Sequence, residues 1–348
     1  MEWSFTRGDA IDAADSVSVH SQIRSRVDVI VPCHNVGRVL QRALDSVFAQ
    51  TWVNWHVYAV DDGSHDGTLQ ILKNNQSRCS FVSQPRAGAA AARNRAIRMS
   101  SSPFVAFLDA DDEWLPTKLE RQIAALEKDP AIALVCSRCS VSESGMERYA
   151  NSVLPGIPNS GRLFQYLVRE CFVFTPTVVV RRNCLEEIGL FNESLPVSED
   201  FNLWLRIAAR RNICFIPDVL AVINKRPGSL SACIDPGKRL QTGVYSLQDV
   251  QARCLSLTST EARSLHAALA QRFYFYGAYL LSVGENRRAR PQLLSAIHQR
   301  HTHWRAMAKF GLSYLPYRIS NLLSHLRKIF LRRVSPGNPS RLATGGAS

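Results

Sequence analysis

The sequence predicts an α/β fold, a Rossmann-like, mainly parallel sheet with crossover helices, followed by a helical C-terminal region. Three observations predict it: β-branched runs alternate with helix-period patterns from residue 27 to about 235, several of those runs end in acidic residues, and the pattern beyond is helical throughout. Residues 27–33 read as a buried strand. Residues 38–50 put Val39, Leu40, Ala43, Leu44, Val47 and Phe48 on one helical face, and 56–60 return as a second strand. After the turn Asp61-Asp62-Gly63-Ser64 come a helix over 67–75, a strand over 79–83, an Ala-rich helix over 89–99 and a strand over 104–108 that runs into Asp109. Thr117 and Glu120, just after Pro116, have the spacing of a capping box opening a helix to about 128, and 133–136 adds a strand. Residues 140–175 are irregular, punctuated by Pro155, Gly156, Pro158 and Gly161, with a short helix at 163–169. A strand over 177–181, a helix from 198 to about 210 and short strands at 214–216 and 220–223 complete the sheet region. Helices are expected over 237–254, 260–283, 287–300, 302–314 and 317–333, and 260–300 resembles one helix-turn-helix unit of the tetratricopeptide type. The chain therefore divides into a flexible segment 1–26, an α/β domain 27–235, a helical region 236–334 and a disordered end 335–348.

Composition excludes other classes. With 348 residues, 46% hydrophobic and 20% charged, the chain matches neither a disordered, a collagenous nor an integral membrane protein. Its formal net charge of +13 is concentrated, because Glu285 is the last acidic residue and twelve Lys and Arg follow it. The body is thus close to neutral, and the excess points to an anionic surface met by the C-terminus. No nucleic-acid module is present, and no nucleic-acid partner is expected. Nine scattered cysteines read as reduced, buried thiols, and Cys136-x-x-Cys139 lacks the second pair or the histidines of a zinc site. Asp9, Asp12 and Asp15 stand where a secretory segment would be apolar, and the longest apolar run, 273–283, falls short of the ~20 residues of a spanning helix. A cytoplasmic location is expected. Between 316 and 334, Ile319, Leu322, Leu323, Leu326, Ile329 and Phe330 keep helical spacing against Arg318, Arg327, Lys328 and Arg332. This cationic amphipathic helix either lies on an anionic membrane surface, making the protein peripheral on the inner face of the cytoplasmic membrane, or packs on the body with a solvated basic face.

Ligands gather at the carboxyl ends of parallel strands, so acids placed there carry weight. Asp109-x-Asp111 sets two carboxylates at a strand edge, hard oxygen ligands suited to Mg²⁺ or Mn²⁺ bridged by phosphates; taken alone, it equally describes a turn capped by Asp111 or Asp112. Asp61-Asp62-Gly63-Ser64 alone reads as a strand-turn-helix junction. Glu199-Asp200 alone reads as acids complementing a helix dipole behind a Ser198 N-cap.

In combination these motifs resemble family 2 glycosyltransferases of the bacterial cell-surface polysaccharide type. The resemblance rests on Val27 to Asn35, Ser46-x-x-x-Gln50-Thr51, Val60-Asp61-Asp62-Gly63-Ser64-x-Asp66-Gly67-Thr68, Gly88 to Asn94, Phe107 to Asp112, and Ser198-Glu199-Asp200 with Trp204, and covers about 27–235. It implies a GT-A type fold and transfer of a sugar, with inversion, from a nucleotide-diphosphate donor of the UDP-sugar kind to a saccharide or polyprenyl-linked acceptor. By that resemblance Pro32, Asn35 and Asp61 line the nucleoside pocket, and Asp62 supports the turn or shares the contact. Asp111, aided by Asp109, holds Mn²⁺ or Mg²⁺ on the diphosphate; Asp200 is the base; and Glu199 positions the acceptor. Arg93 either meets donor phosphate or pairs with Asp66 or Glu113. Asn224 stands where the family often has arginine, which leaves Arg226 for the departing diphosphate and the role of Lys225 open. His34 replaces a usual tyrosine. Two other classes compete: a nucleotidyltransferase, whose Gly-rich basic signature is missing at Pro32-Cys33-His34-Asn35, and a non-catalytic nucleotide-sugar binder, which would have lost Asp109, Asp111 or Asp200.

Overall fold

Alternation along the first strand, β1 (Val27–Cys33), sets the two cores. Val27, Val29 and Val31 enter one apolar cluster and Ile30 the other, so both faces of the sheet are covered. The computed structural model describes residues 26–143, 146–150, 157–226, 234–254, 256–300 and 304–314. Helix α1 (Leu40–Phe48) buries Leu40, Ala43, Leu44 and Val47 on the first face, at the expected spacing. Then follow β2 (Trp55–Asp62), α2 (Thr68–Asn74), β3 (Cys79–Gln84), α3 (Ala89–Met99) and β4 (Phe104–Phe107). Strands β3, β2, β1 and β4 lie side by side in that order, all parallel. Chain order reverses at β1, because β2 pairs on one side of it and β4 on the other; the switch point opens a crevice at the carboxyl ends.

The second half of the sheet is mixed. It contains β5 (Glu113–Trp114), β6 (Ile132–Glu143), β7 (Met146–Ala150), β8 (Ser160–Gly161), β9 (Val179–Arg181) and β10 (Asn212–Lys225). Strand β9 runs antiparallel between β4 and β6, whereas β6 and β10 are parallel. The two short strands expected at 214–216 and 220–223 are one strand, β10. Pro217 offers no N–H, and the pairing with β6 skips from Ile216 to Val219, which is why the run looks interrupted. Between these strands lie α4 (Lys118–Lys128), α5 (Phe164–Leu167), α6 (Arg182–Ile188) and α7 (Glu199–Ala208). The capping box at Thr117 is not formed: Thr117 makes no side-chain cap, and the Glu120 carboxylate accepts from the Thr51 hydroxyl at 2.7 Å. Asp28, buried in mid-strand, accepts from the Ser101 and Ser102 N–H groups and the Ser102 hydroxyl, and pairs with Arg182 at 3.3 Å. That network fastens β1 to the turn before β4 and to α6.

Helices α8 (Pro236–Arg253), α9 (Ser259–Ser282), α10 (Asn286–Gln299) and α11 (Trp304–Leu312) continue the core of the α3/α7 face, since Leu247, Leu269, Leu293 and Ala306 belong to the same cluster as Trp204. Thr258 and Glu261 form a complete capping box at the start of α9. Helices α9 and α10 touch at Gly277, where an added Cβ would stand 2.8 Å from Leu293. The eight described cysteines are free thiols, six of them buried, and burial pushes Cys79, Cys139 and Cys184 up to about 12. The expected helix over 317–333 and the segments 1–25 and 335–348 lie outside the described residues.

Lys118 opens α4 fully buried, its Nζ without a hydrogen-bond partner among the described residues and 4.0 Å from the centre of the Trp114 ring. Burial holds its pKa well below the ordinary lysine value. The unfolded chain therefore binds a proton that the folded chain gives up, and stability rises with pH until about 10.4, where the free lysine titrates. Lys118→Met is expected to raise the melting temperature at pH 7, with the advantage shrinking as pH approaches 10; an equal gain at both pH values would refute this.

Candidate active site

The crevice at the switch point is a cleft of about 1010 Å³, and Pro32, Asn35, Asp109, Asp111, Glu199, Asp200 and Arg226 all line it. One wall is the loop after β1. Asn35 takes φ of 51°, a left-handed conformation that asparagine tolerates. It locks onto the β2–α2 turn: its N–H donates to the Ser64 hydroxyl at 3.0 Å, and its Oδ1 accepts from the His65 N–H at 2.9 Å. His34 donates through Nδ1 to the Asp62 carbonyl at 2.8 Å, because a carbonyl can only accept. It ties this wall to the end of β2.

Asp61 and Asp62 divide the work differently from the sequence expectation. Asp61 is buried and not among the cleft-lining residues; its carboxylate accepts from the Ser64 N–H at 3.2 Å. Asp62 does line the cleft, but its carboxylate is committed to the β3–α3 loop, accepting from Gln84 Nε2 at 2.7 Å and from the Ala87 and Gly88 N–H groups, each at 2.8 Å. It fixes the entry to α3, where Gly88 has φ of 95°.

From α3, Arg93 reaches into the cleft floor and bridges its two sides. Nη2 meets Asp109 at 2.7 Å and Nη1 meets Glu199 at 2.6 Å, with the Arg93 side chain only 7% exposed. Pairing with Asp66 or Glu113 does not occur, and a donor-phosphate contact would compete with two carboxylates already in place. Burial disfavours the charged guanidinium, but Asp109 and Glu199 outweigh it and hold Arg93 above its ordinary value. Glu199 is pushed up by burial and by neighbouring Asp200, against the pull of Arg93.

The acidic loop after β4 is clamped by β10. Asn224 donates its N–H to Asp112 at 2.9 Å, and its amide to the Asp111 carbonyl and the Glu113 carboxylate, each at 3.0 Å. The position that departs from the family pattern thus holds the loop, and Lys225 turns away to Glu143 at 3.6 Å. Arg226 Nε contacts Asp111 at 2.8 Å. Among the described residues no three His, Cys, Asp or Glu side chains come together as a metal site. Asp109 and Asp111, 29% and 21% exposed, each keep one oxygen without a protein partner among the described residues. Two carboxylates completed by phosphate oxygens and water is how Mg²⁺ is commonly held, so the pair fits such an ion.

Opposite, Asp200 sits in the first turn of α7, accepting from the Thr175 hydroxyl at 3.0 Å and the Phe201 N–H at 2.7 Å. Ser198 makes no side-chain cap; it takes φ of 61°, a strained conformation of the kind that gathers at functional sites. Trp204 is wholly buried against Phe107 and Phe191, a support for α7 rather than a cleft residue. Sequence reasoning missed Thr175, Gln84 and the Ile234 and Arg239 side of the cleft, which lies beside the start of α8. The hydroxyl and the amide carry no motif, and α8 comes from beyond the expected domain boundary.

The model of the family described as Glycosyl transferase family 2 matches residues 28–189. Among curated proteins the chain is similar to the UDP-Glc:alpha-D-GlcNAc-diphosphoundecaprenol beta-1,3-glucosyltransferase WfgD of Escherichia coli, 32% identical over 194 residues, 55% of this chain and 72% of that protein. The enzyme of the same description named WfaP, also from Escherichia coli, is 30% identical over 190 residues, 53% and 70% of the two chains. An uncharacterized glycosyltransferase of Rickettsia felis is 30% identical over 231 residues, 66% of this chain but 38% of that protein, so the chain spans well under half of that relative's length. Among solved structures, TarS of S. aureus in complex with UDP-GlcNAc has a TM-score of 0.65 at 17% identity, covering 83% of this chain and 90% of that one. The mannosyltransferase PcManGT of Pyrobaculum calidifontis, in complex with GDP-Man and Mn²⁺, has 0.56 at 21%, covering 90% and 88%. These likenesses show the fold, of GT-A type.

Asp62→Ala leaves the Ala87 and Gly88 N–H groups unpaired and is expected to cost about 1–3 kcal/mol. Hydrogen exchange of residues 86–89 should speed up before that of β1; unchanged exchange there would refute the clamp.

Proposed function

Because the chain belongs to glycosyl transferase family 2, we propose that its cleft moves a sugar, with inversion, from a nucleotide-diphosphate donor to the hydroxyl of a saccharide or lipid-linked saccharide in cell-surface polysaccharide synthesis. The observation that carries this reading is the convergence of Asp109 and Asp111 with Asp200 on one cleft, linked through Arg93 and Glu199. UDP is the favoured nucleotide, supported by the UDP-Glc in the descriptions of WfgD and WfaP and the UDP-GlcNAc bound to TarS. Those two descriptions also name a diphosphoundecaprenol acceptor, which supports the lipid-linked class.

Pro32 and Asn35 form the nucleoside side of the cleft, with Asp61 acting from behind the Ser64 turn. Asp109 and Asp111 would hold Mn²⁺ or Mg²⁺, as the Mn²⁺ bound to PcManGT supports. When bound, such an ion neutralises charge on the leaving diphosphate. Arg226, resting on Asp111, is the cleft cation placed to follow that diphosphate. Asp200 accepts the proton of the attacking hydroxyl. The new bond forms between that oxygen and the anomeric carbon, while the bond to the diphosphate oxygen breaks and its electron pair leaves with the nucleotide. Thr175 and the Phe201 N–H orient the base, and Glu199, held by Arg93, keeps the turn of α7 in register with it.

Asp200→Asn is expected to bind the nucleotide diphosphate within about twofold of the parent by calorimetry while transfer falls by roughly 10²- to 10⁴-fold. Near-normal turnover would sink the assignment. Asp111→Asn should instead weaken nucleotide binding in Mn²⁺ and leave binding in chelator unchanged; equal binding in both conditions would overturn the metal role.

A further inference from the structure

The loop that leads into α7 supplies a wall of the cleft through Glu193 and the residues after it. It is braced on both sides. Asn94, 1% exposed on α3, grips Phe191 as a neighbouring strand would: its Oδ1 accepts from the Phe191 N–H at 3.0 Å and its Nδ2 donates to the Phe191 carbonyl at 2.9 Å. Arg206 donates to the carbonyls of Ile188, Gly189 and Leu190. Asn192 closes the turn, its Oδ1 accepting from the Ser194 N–H and hydroxyl. The wall is therefore preorganised.

The same Asn94 amide donates to Glu193 Oε1 at 2.7 Å, and Arg98 stands 3.6 Å from that oxygen. Oε2 has no hydrogen-bond partner among the described residues, and the Glu193 side chain is 47% exposed where it lines the cleft. Leu195, Pro196 and Val197 line the cleft after it. A fixed carboxylate beside an aliphatic surface suits a saccharide, which offers hydroxyls at its edge and C–H groups on its face. Inversion decides which sugar this is. The entering hydroxyl and the leaving diphosphate lie on opposite sides of the anomeric carbon. With the diphosphate at Asp109 and Asp111, the acceptor arrives from the side of Asp200 and the loop that precedes it. We propose, on the strength of the transfer reading, that Glu193, positioned by Asn94, accepts a hydrogen bond from a hydroxyl of the acceptor saccharide and so selects the sugar that presents its nucleophile to Asp200.

The test titrates N-acetylglucosamine α-linked to a diphosphate with a short alkyl tail into the full chain saturated with UDP, read by calorimetry. Glu193→Gln keeps an oxygen for Asn94 but loses the charge. Its melting temperature is expected to hold while binding of the alkyl diphosphate sugar weakens about tenfold and affinity for UDP-glucose stays within about twofold. In turnover with UDP-glucose, KM for that acceptor should rise with kcat nearly unchanged. Glu193→Ala, which also releases Asn94, should weaken acceptor binding at least as much. Equal acceptor binding by the parent and both variants would overturn the proposal. So would a parent that does not bind the acceptor, or a loss of UDP-glucose affinity in its place, which would put Glu193 on the donor sugar. A parent that binds the acceptor through Glu193 yet transfers nothing would sink the transfer reading and leave this contact standing.

Discussion

A buried arginine shared by two carboxylates organises this molecule. Arg93 cannot be charged in the floor of the cleft without compensation, and the two groups that compensate it come from opposite halves of the sheet region: Asp109 from the end of β4, and Glu199 from the first turn of α7. Taking away Arg93 leaves the buried Glu199 carboxylate without its partner, whereas losing one carboxylate still leaves Arg93 paired with the other. The tie therefore sets the spacing between the acidic loop and the helix that carries Asp200. Beneath it, Phe107, Phe191 and Trp204 form a three-ring cluster with centroids 5.4 to 5.8 Å apart, so the bridge rests on a surface that cannot easily shift.

Around this tie the strand ends are held by hydrogen bonds between loops and strands far apart in sequence. Asp62 holds the start of α3, Asn224 holds the loop of Asp109 to Asp112, and Asn35 interlocks with the turn of Ser64. Each clamp joins segments far apart in sequence, the longest reaching from β10 back across 113 positions to Asp111. A cleft built this way is preorganised: its acids occupy defined positions while still exposed enough to exchange an arginine partner for a ligand.

Much of this was legible beforehand, and what escaped did so for identifiable reasons. Periodicity located β1 to β4 and α1 to α3 to within about two residues at each end, because apolar spacing separates strand from helix even where both faces of a strand are buried. It failed at Pro217, where a missing N–H looks like a strand end, and at Thr117, where the capping pattern is present but Glu120 answers to Thr51 instead. At the site, the spacing of Asp109 to Asp111 and of Glu199 to Asp200 was visible as pattern. The division of labour between Asp61 and Asp62 was not, because it depends on which backbone N–H groups the folded loop of 85–88 presents. The partner choice of Arg93 depends on burial, which no spacing reports. Asn224 stood out only as an exception, and its purpose emerged once β10 was seen beside the acidic loop.

The buried thiols have a practical meaning beyond packing. Burial raises the described cysteines of β1, β3, β6 and α6 far from the thiolate form, so an alkylating reagent finds little to attack while the fold is closed. Modification must wait for transient opening, and the modified residue records which layer came apart. Cys33 and Cys79 sit under one face of the sheet, Cys136 and Cys184 under the other. The chain thus carries its own set of clocks, one for each half of its interior, able to time how independently the two sides breathe.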